Sequence, residues 1–309
     1  MPQLAAVSSR RTLLNETSIV MSRLAERVDR RQGPELANKL ATEFAFKSLA
    51  DSPIADWSVG RRAVLFAECS MISYLSIEQC NIAAGKLGFT DGKFFNCGAS
   101  QAYWFTNEHD SVVVCRGTEP NNWDDLQVDA NAVTAVAETV GKVHRGFKQE
   151  ADEIWPHIEK VLEGNALPVW FCGHSLGGAL ATICAARCKL SYIRSEPEQV
   201  FTYGSPRIGC HRYVNHVKLD HFRWVNNNDI VTRVPPVWMG YRHSGKEMYL
   251  DRNGLLKDIR GWRRMSDRLQ GFFKGLMRWR IDQLSDHSAV RYKDYIFENY
   301  RNEVPAIAK

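Results

Sequence analysis

Apolar residues recur along this chain at two spacings, and the switching between them predicts its elements. Residues 35–49 and 61–75 carry apolar side chains at helical spacing (Leu36, Leu40, Phe44; Ala63, Phe66, Ala67, Met71, Tyr74) and predict two helices. Strand-like segments follow at 93–96, 101–107 and 111–115. The third, Ser-Val-Val-Val-Cys, is the unbroken apolar kind that suits a strand buried on both faces. Residues 120–142 are polar and poor in strand signals, although Trp123, Leu126 and Val128 sit among Asp124, Asp125 and Asp129. Such a loop or helix, just after a central strand, is placed to cover a site. Beyond it, 148–163 predicts a helix in which Pro156 kinks or restarts the chain.

From there strand and helix take turns. The apolar run 169–172 leads to a small-residue helix starting at Gly178; 199–203 reads as a strand, 209–219 as a helix and 222–225 as a strand. Residues 241–243 and 247–250, around Ser244-Gly245, read as a hairpin, and 288–300 as the last helix. This alternation predicts an α/β fold with a mostly parallel central sheet and helices on both faces.

Length and composition narrow the picture. With 309 residues, 44% of them hydrophobic, the chain can bury a large core. One domain is expected over 34–309, after a polar, Arg-rich extension over 1–33. Within that extension Ser9-Arg10-Arg11-Thr12-Leu13-Leu14 looks like a twin-arginine export signal, but Asn15-Glu16-Thr17 and then Arg23, Glu26, Arg27 and Asp29 leave no apolar region behind it. No stretch approaches the roughly 18 apolar residues a membrane span needs. The net charge of +5 is too modest to imply a nucleic-acid partner. The cysteines show neither a C-x-x-C pair nor metal-ligand spacing. Cys115 and Cys172 end apolar runs, Cys184 and Cys188 share a helix face, and reduced thiols in a cytoplasmic protein are expected, with the Cys69/Cys80 pair left open.

The candidate chemistry centres on Gly173-His174-Ser175-Leu176-Gly177, a G-x-S-x-G turn between an apolar strand and a helix. A turn this sharp holds its central residue in a strained conformation with the side chain presented, and the flanking glycines let the backbones cross. Ser175 is the candidate nucleophile, at a helix amino end where N–H groups favour a developing oxyanion. Serine needs a base, and the base an orienting acid, on loops after later strands. Asp229 follows the 222–225 strand and is the candidate acid, its alternative being a turn residue among asparagines. Asp220 precedes that strand, at the wrong end.

Among the histidines, His211 and His216 fall on a helix and His221 starts a strand. His174 is too close along the backbone to reach Ser175 Oγ, and His144 precedes the serine and suits a structural hydrogen bond. His243 is the runner-up; His287, in the loop before the last helix, is the candidate base. Oxyanion donors are expected at the backbone of Leu176 and at Thr118, after the 111–115 strand, unless Thr118 only caps a turn.

Several pieces in order, Cys115-Arg116-Gly117-Thr118, Trp123 with Asp129, Val143-His144-Arg145-Gly146-Phe147, the segment 173–180, Tyr203-Gly204-Ser205-Pro206-Arg207, Asp229-Ile230-Val231 with Pro235-Pro236, and Asp286-His287, resemble the class 3 lipases. This α/β-hydrolase family includes the fungal triacylglycerol lipases. The resemblance implies hydrolysis of acylglycerol or similar fatty esters with no metal or cofactor. It also implies Ser175, Asp229 and His287 as the triad, Thr118 and Leu176 as oxyanion donors, and 119–132 as a movable lid. A phospholipase A1-like action on polar lipids is the alternative. A lipase-shaped scaffold without turnover ranks lower, since no triad member is missing.

One insertion, residues 251–286 between the hairpin and His287, departs from the family pattern. Over 257–280 eight Lys/Arg stand against Asp258 and Asp267. Plotted as a helix, Trp262, Phe272, Phe273 and Trp279 share an apolar arc with most cations opposite. This segment suits a helix lying on a membrane or lipid-droplet surface, or equally a cap helix packed on the domain.

Overall fold

The computed structural model describes residues 46–117, 134–137, 140–227, 229–257 and 287–305. The extension 1–33 and its boundary, Thr118, the lid with Trp123, Leu126 and Val128, and the insertion with Trp262, Phe272, Phe273 and Trp279 lie outside the described residues.

The strands, in chain order, are β1 (Asp91–Cys97), β2 (Ser100–Thr106), β3 (Ser111–Cys115), β4 (Thr134–Val136), β5 (Lys142–His144), β6 (Val169–His174), β7 (Pro197–Tyr203), β8 (Gly209–Cys210), β9 (His221–Asn226), β10 (Tyr241–Arg242), β11 (Lys246–Leu250) and β12 (Leu256–Lys257). The helices are α1 (Val59–Ile72), α2 (Ile77–Lys86), α3 (Arg145–Glu163), α4 (Leu176–Leu190), α5 (His211–Val217) and α6 (Ala289–Tyr300). The large sheet has the order β1-β2-β3-β6-β7-β9-β11-β12. Its five inner strands from β3 to β11 run parallel, and β1, β2 and β12 add antiparallel edges. A smaller antiparallel sheet has the order β10-β8-β5-β4.

Alternate residues of the inner strands feed two cores. Val113, Phe171 and Val200 pack with Ile154, Ile158, Leu180 and Ile183 of α3 and α4 on one face. On the other, Phe66 of α1 lies 5.6 Å from Trp170 and 4.9 Å from Phe201, ring centre to ring centre. Truncating a buried aromatic such as Phe66 to alanine costs about 3–5 kcal/mol. β3 and β6 are buried at every position, as strands covered on both faces must be.

The structure corrects four local expectations. Residues 46–49 are not helical; instead Lys47 and Ser48 donate their backbone N–H groups to buried Glu68. Helix α2 was not anticipated, although Ser76 and Gln79 form a capping box at its start. The segment 209–219 yields only a short strand and seven helical residues. The expected hairpin at 241–250 does not form: β10 pairs with β8 in the small sheet, whereas β11 runs parallel to β9. The residues between them are drawn inward, because His243 Nε2 bonds the carbonyl of Thr232 and Ser244 Oγ bonds His221.

Candidate active site

β6 runs straight into α4 through one residue with an unusual backbone, Ser175, at φ 61° and ψ −132°. A non-glycine residue in that region stores about 1–3 kcal/mol of strain. The surroundings hold it there. Ser175 N donates to the Tyr203 carbonyl at 2.8 Å, and its own carbonyl accepts from Gly178 N at 2.9 Å. The crossing needs the glycines: a Cβ on Gly173 would lie 2.3 Å from the Gly177 carbonyl oxygen, and one on Gly177 only 2.2 Å from that of Cys115. The helix begins at Leu176, two residues earlier than expected, so its N–H is the first of the unbonded amides at that helix end. Ser175 Oγ is buried and makes no hydrogen bond among the described residues.

The segment after β3 passes beside this serine. A Cβ on Gly117 would come within 3.3 Å of Ser175 Cβ. Thr118 itself lies outside the described residues.

Asp229 follows β9 at full burial. Its Oδ1 accepts from Val231 N at 3.0 Å, and its Oδ2 from the Tyr292 hydroxyl at 2.7 Å. His287, from the turn before α6, brings Nδ1 to 2.9 and 2.8 Å from the two carboxylate oxygens. That contact makes Nδ1 the protonated nitrogen and leaves Nε2 able to accept. Gly204, at φ +63°, makes room for the pair, since a Cβ there would lie 2.7 Å from Asp229 Oδ2 and 2.8 Å from His287 Cε1. Gly204 directly follows Tyr203, the residue that accepts from Ser175 N, so the three expected side chains gather at the carboxyl ends of β6, β7 and β9.

The competing residues are engaged elsewhere. His243 bonds the Thr232 carbonyl, and burial together with Arg223 and Arg207 holds its imidazole well below the ordinary range. His221 sits between Thr202 and Ser244, pushed down to about 3 by burial and by Arg223. His144 caps α3 by accepting from Phe147 N. Asp220 lies at the far end of β9, accepting from Gln199. His174 cannot serve Ser175, but it bonds the His287 carbonyl and the Tyr74 hydroxyl. The sequence analysis assigned Tyr74, Gly204 and Tyr292 no role at the site. Only Gly204, after a strand and before Ser-Pro, carried a local signal. Among the described residues no group of three or more His, Cys, Asp or Glu could hold a metal ion.

The family model described as lipase (class 3) matches residues 112–239. The secreted mono- and diacylglycerol lipase 1 of Fusarium solani is 37% identical over 126 residues, covering 38% of this chain and 36% of that protein. The lipase of Rhizomucor miehei is 30% identical over 159 residues, covering 48% and 43%. The chain thus spans less than half the length of these curated relatives. The solved structure of the Rhizomucor miehei triacylglyceride lipase matches with a TM-score of 0.53 over 62% of this chain and 80% of the other, at 22% identity, a likeness of fold. The segment that begins in β3 and carries both Ser175 and Asp229 thus matches the class 3 lipase family, and the chain has the α/β-hydrolase fold of those lipases.

Proposed function

We propose that this protein is a serine carboxylester hydrolase that cleaves acylglycerols or similar fatty-acyl esters. The observation that carries it is the bond between His287 Nδ1 and the Asp229 carboxylate, 2.8–2.9 Å, beside a serine held in a strained turn. Ser175 Oγ attacks the ester carbonyl carbon while His287 Nε2 takes its proton. The tetrahedral oxyanion faces the Leu176 N–H at the start of α4, with a second donor from residue 118. The bond to the alcohol then breaks, the alkoxide recovers the proton from His287, and an acyl-serine remains. Water repeats the sequence and releases the fatty acid. Asp229 offsets the imidazolium charge in both halves, where such preorganised groups count most.

Acylglycerols are favoured as substrate because the relatives are named mono- and diacylglycerol lipase and lipase. The basic, aromatic-rich stretch 257–280 favours work at a lipid or membrane surface from the cytoplasmic side, and it keeps phospholipid esters as the second reading. Ser175→Ala is expected to abolish hydrolysis of p-nitrophenyl esters with the fold intact by circular dichroism. Turnover retained by that variant overturns the proposal. Emulsified tri- and diacylglycerols assayed against neutral and anionic phospholipid vesicles decide between the two substrate classes.

A further inference from the structure

The residue immediately before Ser175 has no part in the reaction just described, yet both of its ring nitrogens are engaged. His174 ends β6 and is 5% exposed. Its Nε2 lies 2.6 Å from the backbone oxygen of His287, and its Nδ1 2.9 Å from the Tyr74 hydroxyl. A carbonyl only accepts, so Nε2 must carry the hydrogen. Burial first, and the neighbouring His287 second, hold this imidazole well below the ordinary histidine range, so the ring is neutral at neutral pH. A neutral ring with hydrogen on Nε2 accepts at Nδ1, and Tyr74 therefore donates. The carbonyl selects the tautomer, and the phenol completes it by donating to Nδ1.

The wire reaches three segments of the site. Tyr74 follows α1, and a Cβ on Gly117 would lie 2.3 Å from its hydroxyl, so the phenol rests against the chain just before residue 118. His174 is joined to Ser175 by one peptide bond. At the other end, the His287 ring packs 4.5 Å from that of His174, centre to centre, while its Nδ1 is held by Asp229.

We infer that His174, fixed in its Nε2–H tautomer by the His287 carbonyl with Tyr74 donating to Nδ1, is a positioning residue that sets the separation between the Ser175 and His287 backbones. The inference rests on the serine-hydrolase reading above. Anchoring the 174 ring on the 287 carbonyl ties nucleophile to base through one hydrogen bond and the peptide bond between residues 174 and 175. Asp229 orients the base from one side and His174 holds its main chain from the other.

The test compares His174→Leu, His174→Gln and Tyr74→Phe with the wild type on p-nitrophenyl butyrate, per folded molecule. The Gln amide places an N–H near the position of Nε2, whereas Leu fills the volume without one. Because a displacement of about 1 Å can cost a factor on the order of 100, His174→Leu should lower kcat about 100-fold with KM changed by less than about threefold. His174→Gln should recover about tenfold of that loss, and Tyr74→Phe should lose about tenfold. Ring 15N shifts of the wild type should show His174 unprotonated at Nδ1 and protonated at Nε2, and Tyr74→Phe should disturb that pattern. A Gln variant no better than the Leu variant, a loss confined to KM, or a wild-type ring protonated at Nδ1 overturns the inference. A wild type that neither turns over esters nor labels with a fluorophosphonate overturns the hydrolase reading instead, and the ring shifts still decide the tautomer.

Discussion

Tyr292 donates its hydroxyl to Asp229 Oδ2 at 2.7 Å, although the two residues stand 63 positions apart. The same oxygen of Tyr292 accepts from Asn226 N at 2.9 Å, so one phenol fastens both the carboxylate and the end of the strand that delivers it. Tyr292 lies in the first turn of α6, five residues beyond His287. The helix that follows the proposed base therefore also orients the proposed acid.

Tyr292→Phe keeps the ring and removes both bonds. A hydrogen bond to a charged group contributes about 1.5–3 kcal/mol, and a buried amide stripped of its acceptor adds about 1–3 kcal/mol of cost. Unfolding in urea should shift to lower denaturant by an amount in that range. Turnover of p-nitrophenyl butyrate should fall about tenfold, as roughly half of the lost orientation reaches the transition state. Unchanged stability and unchanged turnover would dismiss the phenol as incidental.

Ser175, Asp229 and His287 could be read from the chain because each obeys a rule that is local or ordinal. Gly173 and Gly177 mark the turn, and the candidate acid and base follow in order on loops after β9 and before α6. The supporting residues obey no such rule. Nothing near Tyr292 in sequence points to Asp229, and nothing near Tyr74 points to His174, because these bonds join elements whose apposition only the packed sheet decides. The misread hairpin has the same origin. Ser244-Gly245 has turn chemistry, but the partner of each flanking strand is set by distant β8 and β9. Helix α2 is different: Ser76 and Gln79 announced it in the sequence.

Glu68 gives the fold a pH dependence of its own. Burial raises its carboxyl to about 7, against the backbone donors of Lys47 and Ser48 and the charge of Lys293, which act the other way. The ordinary carboxyl near 4.5 describes the unfolded chain, so between about 4.5 and 7 the folded state binds more protons than the unfolded one. Stability from this group is therefore complete below about 4.5 and lost as pH rises through 7. The loss is on the order of 3 kcal/mol. Denaturation curves at pH 5 and pH 8 should show it for the wild type, and Glu68→Gln should flatten it. Equal pH slopes in the two proteins would remove Glu68 as the cause.

All eight cysteines are free thiols, and six of them are buried. Burial pushes Cys80, Cys172 and Cys188 up to about 12. Cys97 is partly exposed but is also raised by burial. At Cys210 burial acts in the same direction but is outweighed by backbone N–H groups of Tyr213, Lys142 and Arg212, and its thiol ends below the ordinary value. Because the thiolate is the reactive form, a thiol-disulfide reagent at neutral pH should modify Cys210 first and Cys97 more slowly in the native protein. Denaturant should expose all eight. Rapid native modification of a Cys210→Ser variant would contradict this order.

Two glycines test how much of the site depends on empty space. Gly204 has φ +63°, and a Cβ there would meet Asp229 Oδ2 at 2.7 Å, His287 Cε1 at 2.8 Å and His287 Nδ1 at 2.9 Å. Alanine adds about 1–2 kcal/mol of backbone strain in that region, and the contacts can be relieved only by moving the acid from the base. Gly204→Ala should therefore lower kcat about 100-fold, the scale of an angstrom's misplacement, with a stability loss of a few kcal/mol at most. Gly85 is the control. It lies within α2, where an added Cβ meets nothing within 4 Å, so Gly85→Ala should raise stability by about 0.5–1 kcal/mol and leave turnover alone. Were Gly204→Ala to keep native turnover, the Asp229–His287 contact could not be what the ester reaction runs on.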